Sequence, residues 1–401
     1  MSSANKSYDV IIAGGGPAGS SAAIHLASRN FSVLLVEKGK FPRPKLCGEF
    51  ISPECIQHFE KLAVAIQMQS SHPALIKETV FFSRRGRKTV VPSSWFGGVA
   101  ALGLSRAAMD DNLLTRARTV GVDVAGETTV TKVLEDKDGV CGVRVKNKSG
   151  DFEHSARIVV DATGRARSLA RRVEGRLSKK PKLVAFKVHL ENTNASLTAC
   201  EIYSYPGGYG GVSTVEDDLS NLCFIIDAAH VREASSDPEA VLQRNVMLNH
   251  RAAFTLRDAR VRSEWLSVAI ESFGRYRPSP IRGLLAIGDA ASFIDPFAGS
   301  GMLMALESGD LVAQTIVRHE YKLKHQVDAV EEICTDYARA YRKNYDSRLR
   351  ICSMLRRLAF RPLLAQLTIS VCASSDRLSN SLARATRSNL KRNTTSAVSL
   401  K

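Results

Sequence analysis

Three glycines near the start of the chain have the spacing needed to bind a phosphate group. They form the run Gly14-x-Gly16-x-x-Gly19, between an apolar strand pattern and a helical pattern of small residues. In such a unit Gly14 permits a tight turn and Gly16 leaves room for a pyrophosphate at the helix N-terminus. Gly19 lets the helix approach the strand closely. This spacing predicts a site for the pyrophosphate of a nucleotide.

The same unit continues into a second predicted strand, residues 31–36, which ends at Glu37. A carboxylate at this point accepts hydrogen bonds from both ribose hydroxyls and disfavours a 2′-phosphate. Strand, glycines, helix, second strand and acidic residue together favour an adenine dinucleotide over a glycine turn without a ligand.

A second strand, glycine turn and helix start occur three quarters of the way along the chain. The strand pattern ends at Asp289, and a helix opens in the segment from Pro296 through Gly301 and Met302. Asp289 is suited to the hydroxyls of a sugar alcohol, and free N–H groups near Gly301 suit the negative edge of a reduced flavin. One long ligand held at both ends favours FAD over NAD.

These elements resemble the FAD-dependent geranylgeranyl reductase family, which shares the fold of the aromatic hydroxylases and flavin halogenases. The resemblance spans roughly the first 320 residues. The residues that carry it are the Gly14-to-Gly19 turn, Glu37, Lys45-Leu-Cys47-Gly48, Arg106, Ala162-Thr-Gly164 and Gly288-Asp289 through Gly301-Met302.

The resemblance implies a role for each matching residue in binding FAD. It places Ala18 and Gly19 at the pyrophosphate with Gly14 and Gly16, Glu37 at the adenosine ribose, and Gly48 and Glu49 at the flavin face. It places Arg106 and the Val130 backbone at the nucleotide, Asp289 at the ribityl chain, and Gly301 and Met302 at the pyrimidine edge. Pro296, at the start of the same segment, is a further cofactor-binding candidate. It also places Cys47 beside the isoalloxazine. There the thiol would donate a proton to a carbanion-like carbon, or only shape the pocket.

Three departures from related patterns limit what the resemblance implies about the substrate. Geranylgeranyl reductases carry a tyrosine-x-tryptophan element, whereas this chain has Tyr209-Gly-Gly211, so Tyr209 is the candidate substrate contact in a widened cavity. Thr163 stands where the hydroxylases have an aspartate, which makes hydroxylation driven by NADPH less favoured. The absence of a WxWxIP run argues against a halogenase.

Composition indicates a globular protein with a basic tail. The 401 residues are 44% hydrophobic and carry a net charge of +16. Residues 338–401 hold fourteen Lys or Arg and two Asp, so twelve of those sixteen charges lie in the tail. The tail suits either an anionic membrane surface or plain solvation as a helical appendage. We expect no nucleic-acid partner and no metal site.

The eight cysteines form no CxxC pair and are interpreted as reduced thiols. No apolar signal region precedes the first strand, and no stretch reaches the roughly 18 apolar residues of a membrane span. We therefore expect a cytoplasmic protein, peripheral at a membrane if the basic tail binds one.

The predicted fold class is α/β, with a Rossmann-like parallel sheet interleaved with a mostly antiparallel substrate sheet and followed by a helical tail. The predicted domains are a discontinuous FAD-binding domain of residues 1–70, 99–175 and 275–330, a substrate domain of residues 71–98 and 176–274, and a basic C-terminal region of residues 331–401.

The leading functional hypothesis is an FAD-dependent reductase of a hydrophobic isoprenoid, prenylquinone or polyketide-like lipid. Electrons would come from NAD(P)H or a protein carrier, because no second dinucleotide unit occurs in the sequence. The alternatives are an FAD-dependent monooxygenase of an aromatic substrate and a non-catalytic protein that binds flavin and lipid at a membrane surface.

Overall fold

The computed structural model describes residues 6–175, 180–271, 273–325, 329–360 and 362–387. The strands are β1 Val10–Ala13, β2 Val33–Val36, β3 Phe50–Ile51, β4 Ala74–Ile76, β5 Glu78–Phe82, β6 Lys88–Pro92, β7 Ala101–Gly103, β8 Asp123–Ala125, β9 Thr129–Asp136, β10 Gly139–Asn147, β11 Gly150–Ser155, β12 Ile158–Asp161, β13 Leu183–Glu191, β14 Ala199–Tyr205, β15 Gly208–Thr214, β16 Ser220–Asp227, β17 Arg260–Val261, β18 Leu266–Ile270, β19 Gly274–Arg275, β20 Leu284–Ala286 and β21 Ser292–Phe293. The α-helices are α1 Pro17–Ala27, α2 Cys55–Lys61, α3 Ala65–Ser70, α4 Arg106–Thr119, α5 Ser168–Val173, α6 Ala228–Glu233, α7 Pro238–Asn245, α8 His250–Thr255, α9 Gly301–Arg318, α10 Glu320–His325, α11 Ala329–Ala359, α12 Pro362–Ala373 and α13 Asp376–Ala385.

A five-stranded parallel sheet carries both predicted glycine turns. Its strand order is β20-β12-β1-β2-β8, and Val10 of β1 pairs with Val33 on one side and Ile158 on the other. Every residue of β1, β2 and β12 is buried, as expected for parallel strands covered on both faces. Because parallel strands end at one edge, the turns after β1 and β20 lie at the same edge of the sheet.

Helices α1 and α9 follow the two turns and pack directly against each other. A Cβ at Gly309 of α9 would lie 2.5 Å from the Ala18 carbonyl oxygen of α1, so glycine permits this close crossing. The Ser21 hydroxyl also donates to the Leu306 carbonyl at 3.0 Å. The two halves of the predicted cofactor site, distant in sequence, are therefore in contact.

The second sheet has eight strands and is mostly antiparallel. Its order is β17-β13-β16-β15-β14-β5-β6, with β18 also paired to β13. One face packs on α6, α7 and α8 around Phe186, Tyr203 and Phe224. Helices α6, α7 and α8 interrupt the strands of this sheet, and the Asp227 side chain caps the first of them. The α/β class is confirmed; the domain boundaries stay a prediction.

The described C-terminal helices pack on the body of the protein. Tyr337, Tyr341 and Tyr345 of α11 are buried, and the Tyr337 hydroxyl donates to the Ala286 carbonyl of β20 at 2.7 Å. Helices α12 and α13 contact β6. In the described part of the chain, no helix combines the length and apolar character needed to cross a membrane. The last ten residues, which the sequence predicts to be disordered, lie outside the described residues.

Candidate flavin and substrate site

One cavity of about 700 Å³ lies between the two sheets and reaches both glycine turns. Its volume is in the range of small-molecule and cofactor sites. All predicted site residues except Gly19 line it: Gly14, Gly16, Ala18, Glu37, Cys47, Gly48, Glu49, Arg106, Val130, Tyr209, Asp289, Pro296, Gly301 and Met302. The structure therefore brings together residues that the sequence separates by almost three hundred positions.

The first glycine turn contains a cradle that protein atoms do not fill. Gly14 has φ +114°, and a Cβ there or at Gly19 would collide with neighbouring backbone. At Gly16, by contrast, the nearest heavy atom to an added Cβ is the Arg106 Nη2, at 3.8 Å. Gly16 also forms the N-cap of α1, with no side-chain cap. This open space beside free helix N–H groups fits a pyrophosphate.

Glu37 lies at the end of β2, buried beside that turn. One carboxylate oxygen accepts from the Gly15 N–H at 2.8 Å, and the other accepts from Gly39 N–H at 2.7 Å and Arg43 at 3.0 Å. Each carboxylate oxygen has two acceptor positions, so the oxygen facing Gly15 keeps one free. Sequence analysis missed Arg43, since nothing in its spacing from Glu37 signals the ion pair.

The other end of the cavity is built by Asp289 and the start of α9. Asp289 follows β20, and burial raises the pKa of its carboxyl. Lys45, Arg106 and Arg165 oppose that rise with their positive charges. Burial in turn lowers the pKa of the Lys45 ammonium. The region between the two turns is thus rich in cations, which suits a ligand with two phosphates. Arg165 carried no sequence signal.

The loop from Lys45 to Glu49 carries the predicted catalytic thiol. Glu49 is fully buried with φ +53°, and its N–H donates to the Cys47 Sγ at 3.4 Å. Its carboxylate accepts from the Arg106 N–H at 2.8 Å, from Lys187 Nζ, and from His189 Nε2 at 2.6 Å. Lys187 and His189 were not predicted from sequence, although polar residues at alternate positions of a buried strand were a signal.

Arg106 joins the thiol loop to helix α4. Its guanidinium donates twice to the Asp110 carboxylate, at 2.8 and 2.6 Å. Burial lowers the pKa of Arg106, but Asp110 and then the Cys47 side chain raise it by more. Arg106 is therefore a buried, charged residue between the glycine turn and the thiol loop.

The charge of Glu49 predicts a pH dependence of stability. Burial raises the pKa of Glu49, but the His189 hydrogen bond and the Lys187 charge lower it by more, below its ordinary 4.5. A carboxylate with a depressed folded pKa stabilises the fold above the unfolded pKa and loses that contribution as pH falls. The free energy of unfolding of the wild type should exceed that of Glu49→Gln at pH 7, and the difference should shrink below about pH 4.5.

Denaturant titrations at several pH values measure that difference. A gap between wild type and Glu49→Gln that stays constant from pH 7 to pH 3 would contradict this charge assignment.

Tyr209 lies at the apolar end of the cavity. Its hydroxyl donates to the buried Asp295, which also caps the short helical turn Pro296–Ala298 through the Phe297 N–H at 2.9 Å. Rings of Phe297 and Phe360 pack edge-on against Tyr209, with centroids 5.2 and 5.7 Å away. This end of the cavity suits an apolar molecule.

The glycine that replaces the expected indole does not leave an empty space. A Cβ at Gly211 would lie 2.7 Å from the Cδ1 of Ile202 on the neighbouring strand β14. Ile202 itself lines the cavity. The widening expected from the missing ring is therefore partly offset by this isoleucine.

The described residues contain no group of three or more His, Cys, Asp or Glu side chains that could hold a metal ion. All eight cysteines are free thiols, as their spacing predicts.

Comparison with known proteins agrees with this geometry. The family model named FAD binding domain matches residues 7–318. A digeranylgeranylglycerophospholipid reductase from Methanosarcina mazei is 27% identical over 317 residues, covering 77% of this chain and 74% of that protein.

Two solved structures share the fold. A geranylgeranyl bacteriochlorophyll reductase-like protein from Thermoplasma acidophilum superposes with a TM-score of 0.79 at 19% identity, covering 93% of each chain. A flavin-dependent brominase superposes with a TM-score of 0.77 at 21% identity, covering 95% of this chain and 93% of the brominase. With the family match spanning most of its length, this chain belongs to the FAD-binding-domain family and is an FAD-dependent oxidoreductase similar to the geranylgeranyl reductases.

Proposed function

We propose that this protein reduces a carbon–carbon double bond of a hydrophobic lipid of the isoprenoid, prenylquinone or polyketide-like class. The observation that carries the proposal is a single cavity that joins the two glycine turns to an apolar end. The apolar end is lined by Phe81, Ile202, Tyr209, Phe297, Ile369 and Leu382. The reductase name of the Methanosarcina mazei relative supports a lipid alkene as the substrate.

The cavity residues take complementary parts in holding FAD. In this proposal the α1 N-terminus at Ala18 binds the pyrophosphate, with Gly14, Gly16 and Gly19 giving the room for it. Glu37 binds the ribose, Arg106 and the Val130 backbone bind the nucleotide, and Asp289 binds the ribityl chain. Gly48 and Glu49 cover the flavin face, Gly301 and Met302 hold the pyrimidine edge, and Pro296 lines the cavity beside them.

When bound and reduced, FAD would transfer a hydride to one carbon of the alkene. Cys47 then supplies the proton that the adjacent carbon needs, so the product gains two hydrogens. The thiolate that remains is stabilised by the Glu49 N–H at 3.4 Å and the nearby Arg106 guanidinium. A nicotinamide cofactor or a carrier protein would supply the electrons.

Product mass separates this function from its rivals. Purified protein, reduced chemically, is offered geranylgeranyl-bearing lipids that carry no quinone ring, under argon and in parallel in air, and the products are weighed. Reduction of one alkene adds about 2 Da per double bond without oxygen. Products heavier by about 16 Da and formed only in air would instead identify a monooxygenase. Failure of every lipid to react would leave a non-catalytic flavoprotein.

Helix α12 gives a test of where the lipid lies. Ile369 lines the cavity, whereas Leu367 on the same helix is 63% exposed. Ile369→Trp should fill the apolar end and lower kcat/KM for long lipids by about tenfold or more, because one methylene of misfit already costs that much. With the lipid dispersed in detergent, so that no bilayer takes part, Leu367→Trp should leave kcat/KM unchanged. Equal effects of the two changes would place the lipid elsewhere.

The same helices favour an anionic bilayer as the source of the substrate. Leu367, Val371 and Leu378 are exposed apolar residues, and Arg377 and Arg384 are exposed nearby in sequence. Apolar side chains among arginines suit an anionic lipid surface. We expect the protein to float with phosphatidylglycerol vesicles at low salt and not with phosphatidylcholine vesicles. Leu367→Ser with Val371→Ser should abolish flotation; flotation unaffected by this pair would refute the surface.

A further inference from the structure

Polar side chains on the eight-stranded sheet form hydrogen bonds with the loop that carries Cys47. Strands β13 and β16 are antiparallel neighbours, with Lys187 opposite Cys223 and His189 opposite Asn221. Alternate residues of a strand point to one face, so these four side chains share a face. Cys223 lines the cavity, which identifies that face. We name Lys187, His189 and Asn221 the polar platform.

The polar platform bonds every second residue of the loop. Lys187 Nζ donates to the Lys45 carbonyl at 3.4 Å and to the Glu49 carboxylate. Asn221 Nδ2 donates to the Cys47 carbonyl at 3.1 Å. His189 Nε2 lies 2.6 Å from the other Glu49 oxygen. The loop is thus held by one sheet at three points around the thiol.

Glu49 is the strained member of this arrangement. Its φ of +53° lies in the left-handed region, which a non-glycine residue adopts only when its surroundings enforce it. Its carboxylate is fully buried, and removal of a cationic partner would leave an uncompensated charge. The polar platform therefore both enforces the backbone turn and compensates the charge.

We propose that Lys187 and His189 are positioning residues for Cys47, an inference that rests on the proposed reductase function. They keep Glu49 in its left-handed turn. The Glu49 N–H then points at the Cys47 Sγ, 3.4 Å away, and fixes the thiol on the cavity wall. In this way hydrogen bonds join the sheet that lines the lipid site to the loop that carries the proton donor.

The test is the alkylation rate of Cys47 by iodoacetamide in the FAD-loaded protein, resolved by peptide mass spectrometry from pH 6 to pH 9. His189→Leu should slow Cys47 alkylation about tenfold at pH 7, as expected for coupled residues in one network. His189→Gln, which keeps an N–H donor, should restore the rate to within about twofold.

Arg251→Met is the matched control. Arg251 pairs with the buried Glu201, at 3.0 Å between Nε and Oε2, on the opposite face of the same sheet. If buried ion pairs act only by stabilising the fold, Arg251→Met and His189→Leu should lower the alkylation rate of Cys47 equally. If the polar platform positions the thiol, only His189→Leu should lower that rate.

A second variant tests the proposal in case His189→Leu does not fold. The double change Lys187→Met with Glu49→Gln removes the buried charges as a pair and should also slow alkylation about tenfold. Unchanged Cys47 rates in both variants would overturn the proposal. Alkylation needs no lipid, so slowed alkylation in a protein that reduces no alkene would count against the proposed function alone.

Discussion

We expect Gly16→Val to yield a folded protein that binds FAD far more weakly than the wild type does. A Cβ at Gly16 would have the Arg106 Nη2, at 3.8 Å, as its nearest neighbour, and the φ of −75° suits any residue. The added methyl groups would occupy the space for the pyrophosphate. Overpacking of 1–3 kcal/mol corresponds to an affinity about 5-fold to 150-fold lower. Equilibrium dialysis with FAD measures the loss, and circular dichroism verifies the fold.

Two other glycines are the controls for Gly16. Gly126→Ala should alter neither folding nor FAD affinity, since an added Cβ there meets nothing within 4 Å. Gly19→Ala should instead impair folding, because its Cβ would collide with the Gly14 carbonyl oxygen. If Gly16→Val bound FAD as tightly as the wild type, the pyrophosphate would lie elsewhere.

We expect Cys47→Ser to keep FAD but to lose most of its turnover. A hydroxyl still accepts the hydrogen bond from the Glu49 N–H, so the loop should stay in place. A hydroxyl is a far poorer acid than a thiol, and loss of a general acid costs about 10²-fold to 10⁴-fold. The measurement is kcat for alkene reduction, with the flavin absorbance at 450 nm as the check on loading.

Cys200→Ala is the matched control for the thiol. Cys200 also lines the cavity, and burial raises its pKa to about 12. Its removal should leave kcat within about threefold of the wild type. A Cys47→Ser enzyme with unchanged kcat would show that the thiol only shapes the pocket.

Local patterns were sufficient to predict the parallel sheet and the two glycine turns that line one cavity. Buried strands that run into glycine turns and helices are encoded within about thirty residues, so Gly14, Glu37 and Asp289 were found from sequence. The thiol loop was found through a family resemblance.

Contacts between distant segments were beyond such patterns. Lys187 and His189 act on Glu49 from about 140 residues away, and only the pairing of β13 with β16 turns them toward the loop. The position of α12 beside the cavity could not be predicted either, because it too depends on contacts between distant segments. From sequence alone, an apolar stretch in a basic tail is compatible with a membrane-binding helix and with a cavity wall. In the structure Ile369 lines the cavity, whereas Leu367 is exposed.

The FAD content of the purified full-length chain tests most directly whether two distant turns bind one coenzyme. We predict a yellow protein with one FAD per 43.7 kDa chain, and a much weaker complex after Asp289→Ala as well as after Gly16→Val. A colourless protein that takes up no FAD when it is supplied would contradict the site. So would FAD binding that is insensitive to both substitutions.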